Sequence, residues 1–240
     1  MMQRFAQVDV AVVGAGLAGL ACARRLEARG HQVLCLEAGD AVGGRVRTDV
    51  VDGFRLDRGF QVLNTAYPEL QRTVDLAGLE LREFDSAVAI RRDGRLHRVP
   101  NPLSEPRQVG ALLTSGVTGV LGKATAGAYV GRTLALTAPA LRRRRDLTGP
   151  EAWRRSGVPQ RTIDELLTPF LSGVVLEREI TTSRHFLDLM MRMFAHGRST
   201  VPAYGMQRLP EQLAADLSPG VIRFESSVEL VHSRGVVADG

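Results

Sequence analysis

At 240 residues the chain is long enough for one large domain or two modest ones, and 44% apolar content with mixed charge excludes a disordered chain. The formal net charge of +5 comes almost wholly from arginine, since Lys123 is the only lysine, and the basic residues are spread along the chain apart from Arg142–Arg145. No aromatic–basic interleaving, recognition-helix pattern or zinc-ligand spacing is present, so neither a nucleic-acid partner nor a metal site is expected.

The apolar run from Val8 to Val13 suits a strand buried on both faces of a parallel sheet. Gly14, Gly16 and Gly19 follow in G-x-G-x-x-G spacing and open a helix near Leu17. The first glycine allows a tight turn, the second lets backbone approach a pyrophosphate, and the third lets the helix pack closely on the strand. The helix start aims free N–H groups and a positive dipole end at that phosphate. Gly30 ends the helix and His31 to Leu36 make the next strand. Glu37 stands at its tip, 18 residues past Gly19, where a carboxylate can accept hydrogen bonds from a ribose diol. Glu37 would repel a 2′-phosphate, which disfavours NADP and leaves NAD and FAD open.

After Glu37, the stretch Ala38-Gly39-Asp40-Ala41-Val42-Gly43-Gly44-Arg45 carries a second glycine turn, and Gly53-Phe54-Arg55-Leu56-Asp57-Arg58-Gly59 follows. Tyr67 to Leu76 read as a helix ended by Gly78. Ala87–Arg92 and Arg95–Val99 form a hairpin across Asp93-Gly94. Pro100, Pro102 and Pro106 then break the chain. From Val109 to Leu141 the only charges are Lys123 and Arg132. Glycines interrupt this stretch, so it is not read as a transmembrane helix. Two readings stay open for 109–145. It forms helices packed inside a domain, or an apolar surface that meets a membrane or an isoprenoid-like substrate. Arg142–Arg145 suit anionic headgroups or a solvated helix end equally.

Thr148-Gly149-Pro150-Glu151 opens a helix through Arg155, and Gln160 to Leu171 makes another. Ser183 to Phe194 is a third, with Phe186, Leu187, Met190, Met191 and Phe194 at helical spacing. That stripe reads as core, with an adaptable substrate pocket as the alternative. His185 and His196 flank it as cap or surface residues. No Ser-His-Asp or paired-carboxylate constellation nominates a catalytic residue. Cys22 and Cys35 read as two small buried thiols without a disulfide framework, which fits a reducing cytoplasm. The N-terminus has no signal-peptide pattern. Val201-Pro202-Ala203-Tyr204-Gly205-Met206 lead into a helix from Leu209 to Leu217, and Val221 to Gly240 alternates like short strands. The closing Ala238-Asp239-Gly240 is a turn signal with no partner strand after it, so the expectation is a chain lacking its C-terminal part.

Several of these stretches resemble the FAD-dependent amine oxidase and phytoene desaturase superfamily, which includes protoporphyrinogen oxidase-like proteins. Glu37 to Arg45 is similar to its extended flavoprotein motif, Gly53 to Gly59 to its segment beside the flavin ring, and Val201 to Met206 to its P-x-G-G-M motif. Phe60 stands where the family usually has a small residue, and Tyr204 replaces the first glycine of P-x-G-G-M. The resemblance implies FAD as cofactor and hydride transfer to flavin from a C–N or C–C bond of a small-molecule substrate, apolar or amine. It also implies the site residues. Gly14, Ala15, Gly16, Leu17, Ala18 and Gly19 would cradle the pyrophosphate, and Glu37 with Ala38 would hold the adenosine ribose. Gly43, Gly44 and Arg45 would reach the pyrophosphate and ribityl side, Gly59, Phe60, Gln61 and Val62 would approach the flavin ring, and Val228 would meet the adenine through its backbone.

The fold class expected is α/β, a Rossmann-like FAD-binding domain with a mostly helical substrate domain inserted. Residues 1–85 would open the FAD-binding domain, 86–200 would form the substrate domain, and 201–240 would return to the first. The lack of a catalytic cluster agrees with a flavoenzyme, whose hard chemistry belongs to the cofactor. Two alternatives are an NAD-dependent dehydrogenase, which has no need of a second glycine turn, and a truncated, non-catalytic dinucleotide-binding module. The expected compartment is the cytoplasm, with peripheral membrane contact through 109–145 under the second reading of that stretch.

Overall fold

The structure is a computed structural model that describes residues 7–92, 94–99, 107, 118–232 and 235–239. Asp93, Pro100, Pro102, Pro106, Gly240 and the 109–117 part of the low-charge stretch lie outside the described residues. The chain divides into two compact units, Met1–Phe84 with Thr200–Gly240, and Asp85–Ser199. The first begins with β1 (Val10–Val13), α1 (Leu17–Glu27), β2 (Val33–Leu36), β3 (Thr48–Val51), β4 (Phe54–Asp57), β5 (Leu63–Asn64), α2 (Pro68–Thr73) and β6 (Leu81–Glu83). The second holds β7 (Val88–Arg92), β8 (Arg95–Val99), α3 (Val120–Ala135), α4 (Ala138–Arg142), α5 (Gly149–Arg155), α6 (Gln160–Thr162), α7 (Thr168–Val175) and α8 (Arg184–His196). The chain then returns through β9 (Ser199–Pro202), α9 (Arg208–Ala215), β10 (Ile222–Arg223), β11 (Ser227–His232) and β12 (Gly235–Asp239).

In the first unit β1 and β2 run parallel, from Val10 opposite Val33 to Val13 opposite Leu36, and β10 joins the far side of β2. Right-handed βαβ geometry lays α1 on this sheet, and Leu20 and Ala23, three apart on one face, are fully buried. Cys35 is buried as expected, but Cys22 is exposed, because it points away from the Leu20–Ala23 stripe. The second strand begins at Val33 and not at His31, since the Gln32 N–H turns aside to the Asp9 carboxylate at 2.8 Å. α9 packs beside α1 and buries Leu209 and Leu213. A second small sheet has the order β5-β9-β6.

A further expectation needs correction here. The helix read over Tyr67–Leu76 stops at Thr73, where Val74 turns extended. The Gln212 side chain competes for the backbone beyond it, accepting from Asp75 N at 2.7 Å and donating to Asp75 O at 3.0 Å. The last described strand pairs with the one before it. β12 pairs antiparallel with β11, from Ser227 opposite Asp239 to His232 opposite Gly235.

In the second unit β7 and β8 form the antiparallel hairpin, with Arg92 opposite Arg95. The helices enclose a core in which Trp153, Ile163, Leu171, Ile180 and Leu187 are almost wholly buried. The helix read over Gln160–Leu171 extends to Val175 through a π-helical turn at Ile163–Leu167 and ends where Leu176 takes a left-handed conformation, φ 58°. α8 starts at Ser183, whose hydroxyl accepts from His185 N at 3.1 Å. Leu187, Met190 and Met191 face the core as the stripe requires, whereas Phe186 is 46% exposed. One Arg192 nitrogen donates to the carbonyls of Thr133, Leu134 and Leu136 at 2.8–2.9 Å, capping the C-terminal end of α3 with positive charge. Among the described residues no helix is long and apolar enough to cross a membrane.

Candidate functional site

The loop between β1 and α1 is bare backbone shaped by three different constraints. Gly14 has φ +90°, which a side chain would strain, and its N–H donates to Leu36 O at 2.7 Å, tying the turn to the end of β2. A Cβ on Gly19 would overlap the Gly14 carbonyl oxygen, so that glycine lets the helix close onto the turn. Gly16 is different. Its φ is −74°, and no protein atom lies within 4 Å of where a Cβ would sit. Neither the backbone nor the packing of the protein requires glycine there, so its bare Cα faces open space. A closely approaching diphosphate uses such space, and the first turn of α1, at Leu17 and Ala18, has no side-chain cap at Gly16 to take its N–H groups. The residues present fit a dinucleotide.

Glu37 leaves the tip of β2 and ties two loops together. Its Oε2 accepts from Ala15 N at 2.7 Å and its Oε1 from Gly39 N at 2.8 Å. A carboxylate has about four lone-pair positions, so acceptor capacity remains for ribose hydroxyls. Ala38 is exposed beside it. The return segment runs along the same edge: Glu37 N donates to Arg223 O, Ser226 N to Glu37 O, both at 2.9 Å, and Glu225 N to Gly39 O at 3.0 Å. Val228, half-buried, lies three residues past Glu225, in β11 opposite Ala238.

The second glycine turn docks on the first. Gly43 and Gly44 have φ of 119° and 53° and start a short 3-10 turn, Gly44–Val46. Gly43 N donates to Ala15 O at 2.9 Å, and a Cβ on Gly44 would lie 3.7 Å from Gly16 Cα. A third segment folds back onto it. Phe60 N donates to Arg45 O at 3.4 Å, and a Cβ on Gly59 would overlap that same oxygen. The Arg45 side chain is exposed, Phe60 and Val62 are 54% and 47% exposed, and Gln61 lies on the same exposed link into β5.

Tyr204 leaves the turn after β9 intact, because the left-handed position falls on Gly205, φ +89°. The Tyr204 ring is itself half exposed, with the Arg55 guanidinium 5.2 Å from its centroid. Three contributors were not singled out from the sequence: Thr48, Asp57 and Gln207. The Asp57 carboxylate accepts from Met206 N at 3.0 Å and from the Thr48 hydroxyl. Their only signal is position, inside or directly after a recognised motif.

Cys35 sits under the first turn, its thiol donating to Gly14 O at 3.6 Å. Burial, aided by the Glu37 charge, pushes this thiol up to about 11.

In the second unit α8 buries a charge that the sequence reading missed. Asp188 is fully buried, accepts from the Tyr129 hydroxyl at 2.6 Å and from Arg144 at 3.4 Å, and lies 3.8 Å from Arg184 Nε. Burial, followed by Asp188, raises the Tyr129 phenol well above its ordinary range. Arg144 is therefore turned inward and is not part of a solvated helix end. His185 is half-buried and holds the Arg144 carbonyl at 2.8 Å, a positioning contact. His196 is exposed, its Nδ1 2.9 Å from Arg192 O. A separate cleft of about 450 Å³ is lined by Ile90, Arg91, Asp164, Glu165, Leu166 and Phe170 among others.

The profile of the family described as flavin containing amine oxidoreductase matches residues 17–239. Putrescine oxidase from Kocuria rosea is 30% identical over 243 residues, which is 95% of this chain and 50% of that protein. Protoporphyrinogen oxidase 2 from Arabidopsis thaliana is 36% identical over 108 residues, 45% of this chain and 21% of that one. The solved structure of wild-type putrescine oxidase bound to putrescine superimposes with a TM-score of 0.68 at 23% identity, covering 98% of this chain and 55% of the other. The chain thus spans half the length of the Kocuria relative. By the profile and by this overlap the chain belongs to the flavin-containing amine oxidoreductases, and its cofactor is FAD.

Proposed function

We propose that the chain serves an FAD-dependent oxidoreductase that moves a hydride from a C–N or C–C bond of a small organic substrate, apolar or amine, to flavin. One observation carries this reading: the second glycine turn is hydrogen-bonded to the first, Gly43 N to Ala15 O at 2.9 Å. A plain nicotinamide site needs only the first turn. When bound, FAD supplies the two-electron acceptor. The chain's own residues hold it: Gly14 to Gly19 present amides to the pyrophosphate, and Glu37, with Ala38 beside it, takes the adenosine ribose. Gly43, Gly44 and Arg45 take the ribityl side, Arg45 offsetting phosphate charge. Gly59 to Val62 border the flavin ring, and Val228 offers backbone to the adenine.

The domain assignment, 1–85 with 201–240 for cofactor and 86–200 for substrate, is part of the same proposal, as is a cytoplasmic location, with helices of 109–145 packed inside the substrate domain and peripheral membrane contact through that stretch as the alternative. Membership beside a putrescine oxidase supports an amine, and beside a protoporphyrinogen oxidase and a diapophytoene desaturase an apolar ring or polyene. The test is calorimetry with FAD and with NAD on the purified chain, followed by anaerobic mixing of the FAD complex with putrescine, a porphyrinogen or a polyene. Heat with FAD and bleaching of the flavin absorbance by one substrate class is the expected result. Heat with NAD alone would point to the dehydrogenase, and FAD binding without bleaching to a non-catalytic module.

A further inference from the structure

Gln207 lies far from the glycine turns in sequence, yet it bonds to the chain on both sides of the second one. Its Nε2 donates to Val42 O at 2.8 Å, just before Gly43. Its Oε1 accepts from Thr48 N at 3.4 Å, just after the turn closes, and its own N–H donates to Thr48 Oγ1 at 3.0 Å. One side-chain amide thus spans the entry and exit of Gly43–Arg47, and uses both its donor and its acceptor to do so. Neighbouring contacts limit how far the turn can relax. A Cβ on Gly43 would meet Pro210 Cγ at 3.0 Å, and one on Gly205 would meet the Thr48 side chain at 2.6 Å. On the outer side, Arg47 donates to Asp40 at 2.8 Å across the same loop, but Asp40 is exposed, so solvent weakens that brace. Gln207, partly buried, is the brace that water competes with less.

We propose that Gln207 is a positioning residue that holds the second glycine turn in its cofactor-binding shape, so that the return segment governs affinity for the flavin half of FAD. This rests on the reading of Gly43–Arg45 as the ribityl-side turn. The test compares two ligands. FAD engages both turns, whereas AMP has the adenosine and lacks the ribityl side. Calorimetry on Gln207→Leu should show FAD bound about tenfold more weakly, the loss of one to two net hydrogen bonds, with AMP affinity within about twofold of the parent, a difference too small to count as a lost hydrogen bond. Gln207→Glu, which keeps an acceptor for Thr48 N but turns an anionic oxygen on the Val42 carbonyl in place of the donor, is measured in the same way and covers the case in which the leucine variant fails to fold. Unchanged FAD affinity, or equal losses for FAD and AMP, would overturn the proposal. A parent protein that binds no FAD would instead sink the functional reading beneath it.

Discussion

Glu37 and Ala15 are joined directly: the carboxylate of one takes the backbone N–H of the other at 2.7 Å. The residue expected to hold the ribose therefore also shapes the first glycine turn. Glu37→Ala removes two charge-assisted acceptors at once, the second being the bond from Gly39. Each is worth about 1.5–3 kcal/mol, and water replaces part of the loss. FAD titration by fluorescence quenching should give an affinity about ten- to a hundredfold weaker. An unchanged affinity would remove Glu37 from the site.

Gly16 and Gly19 face different surroundings, open space for the first and packed backbone for the second. Gly16→Ala puts a methyl where no protein atom lies within 4 Å, at an ordinary φ of −74°. The melting temperature without FAD should hold or rise slightly, as alanine at a compatible site adds about 0.4–1 kcal/mol, while FAD affinity falls sharply. Gly19→Ala drives a methyl into the Gly14 carbonyl and should lower both. Thermal melts with and without FAD distinguish the two. A Gly16→Ala protein that binds FAD normally would show that the open space is not the phosphate site.

The two thiols should behave differently. Cys22 is exposed and Cys35 is buried with its thiol raised from 9.0 to about 11. Iodoacetamide near neutral pH should label Cys22 in the native protein and both residues in denaturant. Because the folded value is the higher one, the Cys35 contribution to stability is complete below pH 9.0 and is lost as the pH climbs towards 11. Cys35→Ala should flatten that part of the alkaline stability curve.

Removing Asp188 leaves Arg184 and Arg144 facing a buried site without their anion. Breaking such a pair costs about 3–5 kcal/mol, so Asp188→Leu should show a large fall in urea midpoint. Tyr129→Phe deletes one hydrogen bond to a charged group and should cost about 1.5–3 kcal/mol. The raised Tyr129 phenol adds stability that is present below its ordinary 10.0 and is lost as the pH rises beyond it. Tyr129→Phe should remove that loss. Equal midpoints for Asp188→Leu and the parent would mean the buried cluster contributes nothing.

The βαβ unit was legible because its signals are local: an apolar run, three glycines at fixed spacing, and Gly30 after the helix. The β7–β8 hairpin was legible for the same reason, from its Asp-Gly pair. What the sequence did not disclose depends on distant partners. α2 is cut short by Gln212, Cys22 faces outward by one step of helical phase, and Asp188 is buried because Tyr129, Arg144 and Arg184 surround it. Within the candidate site the glycines and Glu37 were readable from their motif. Thr48, Asp57 and Gln207 were not, since their roles appear only when the return segment is laid against the second turn.

The parallel sheet has the order β1-β2-β10, and the whole second unit lies between its second and third strands in sequence. During synthesis β1, the first glycine turn and β2 precede the whole second unit, so an edge of β2 stays uncovered until β10 has emerged. Pairing across so long a loop is slow and leaves the nascent chain open to mispairing. Completion of the β1-β2-β10 sheet should therefore lag the contiguous second unit that is made before β10, although its glycine signature is synthesised earlier.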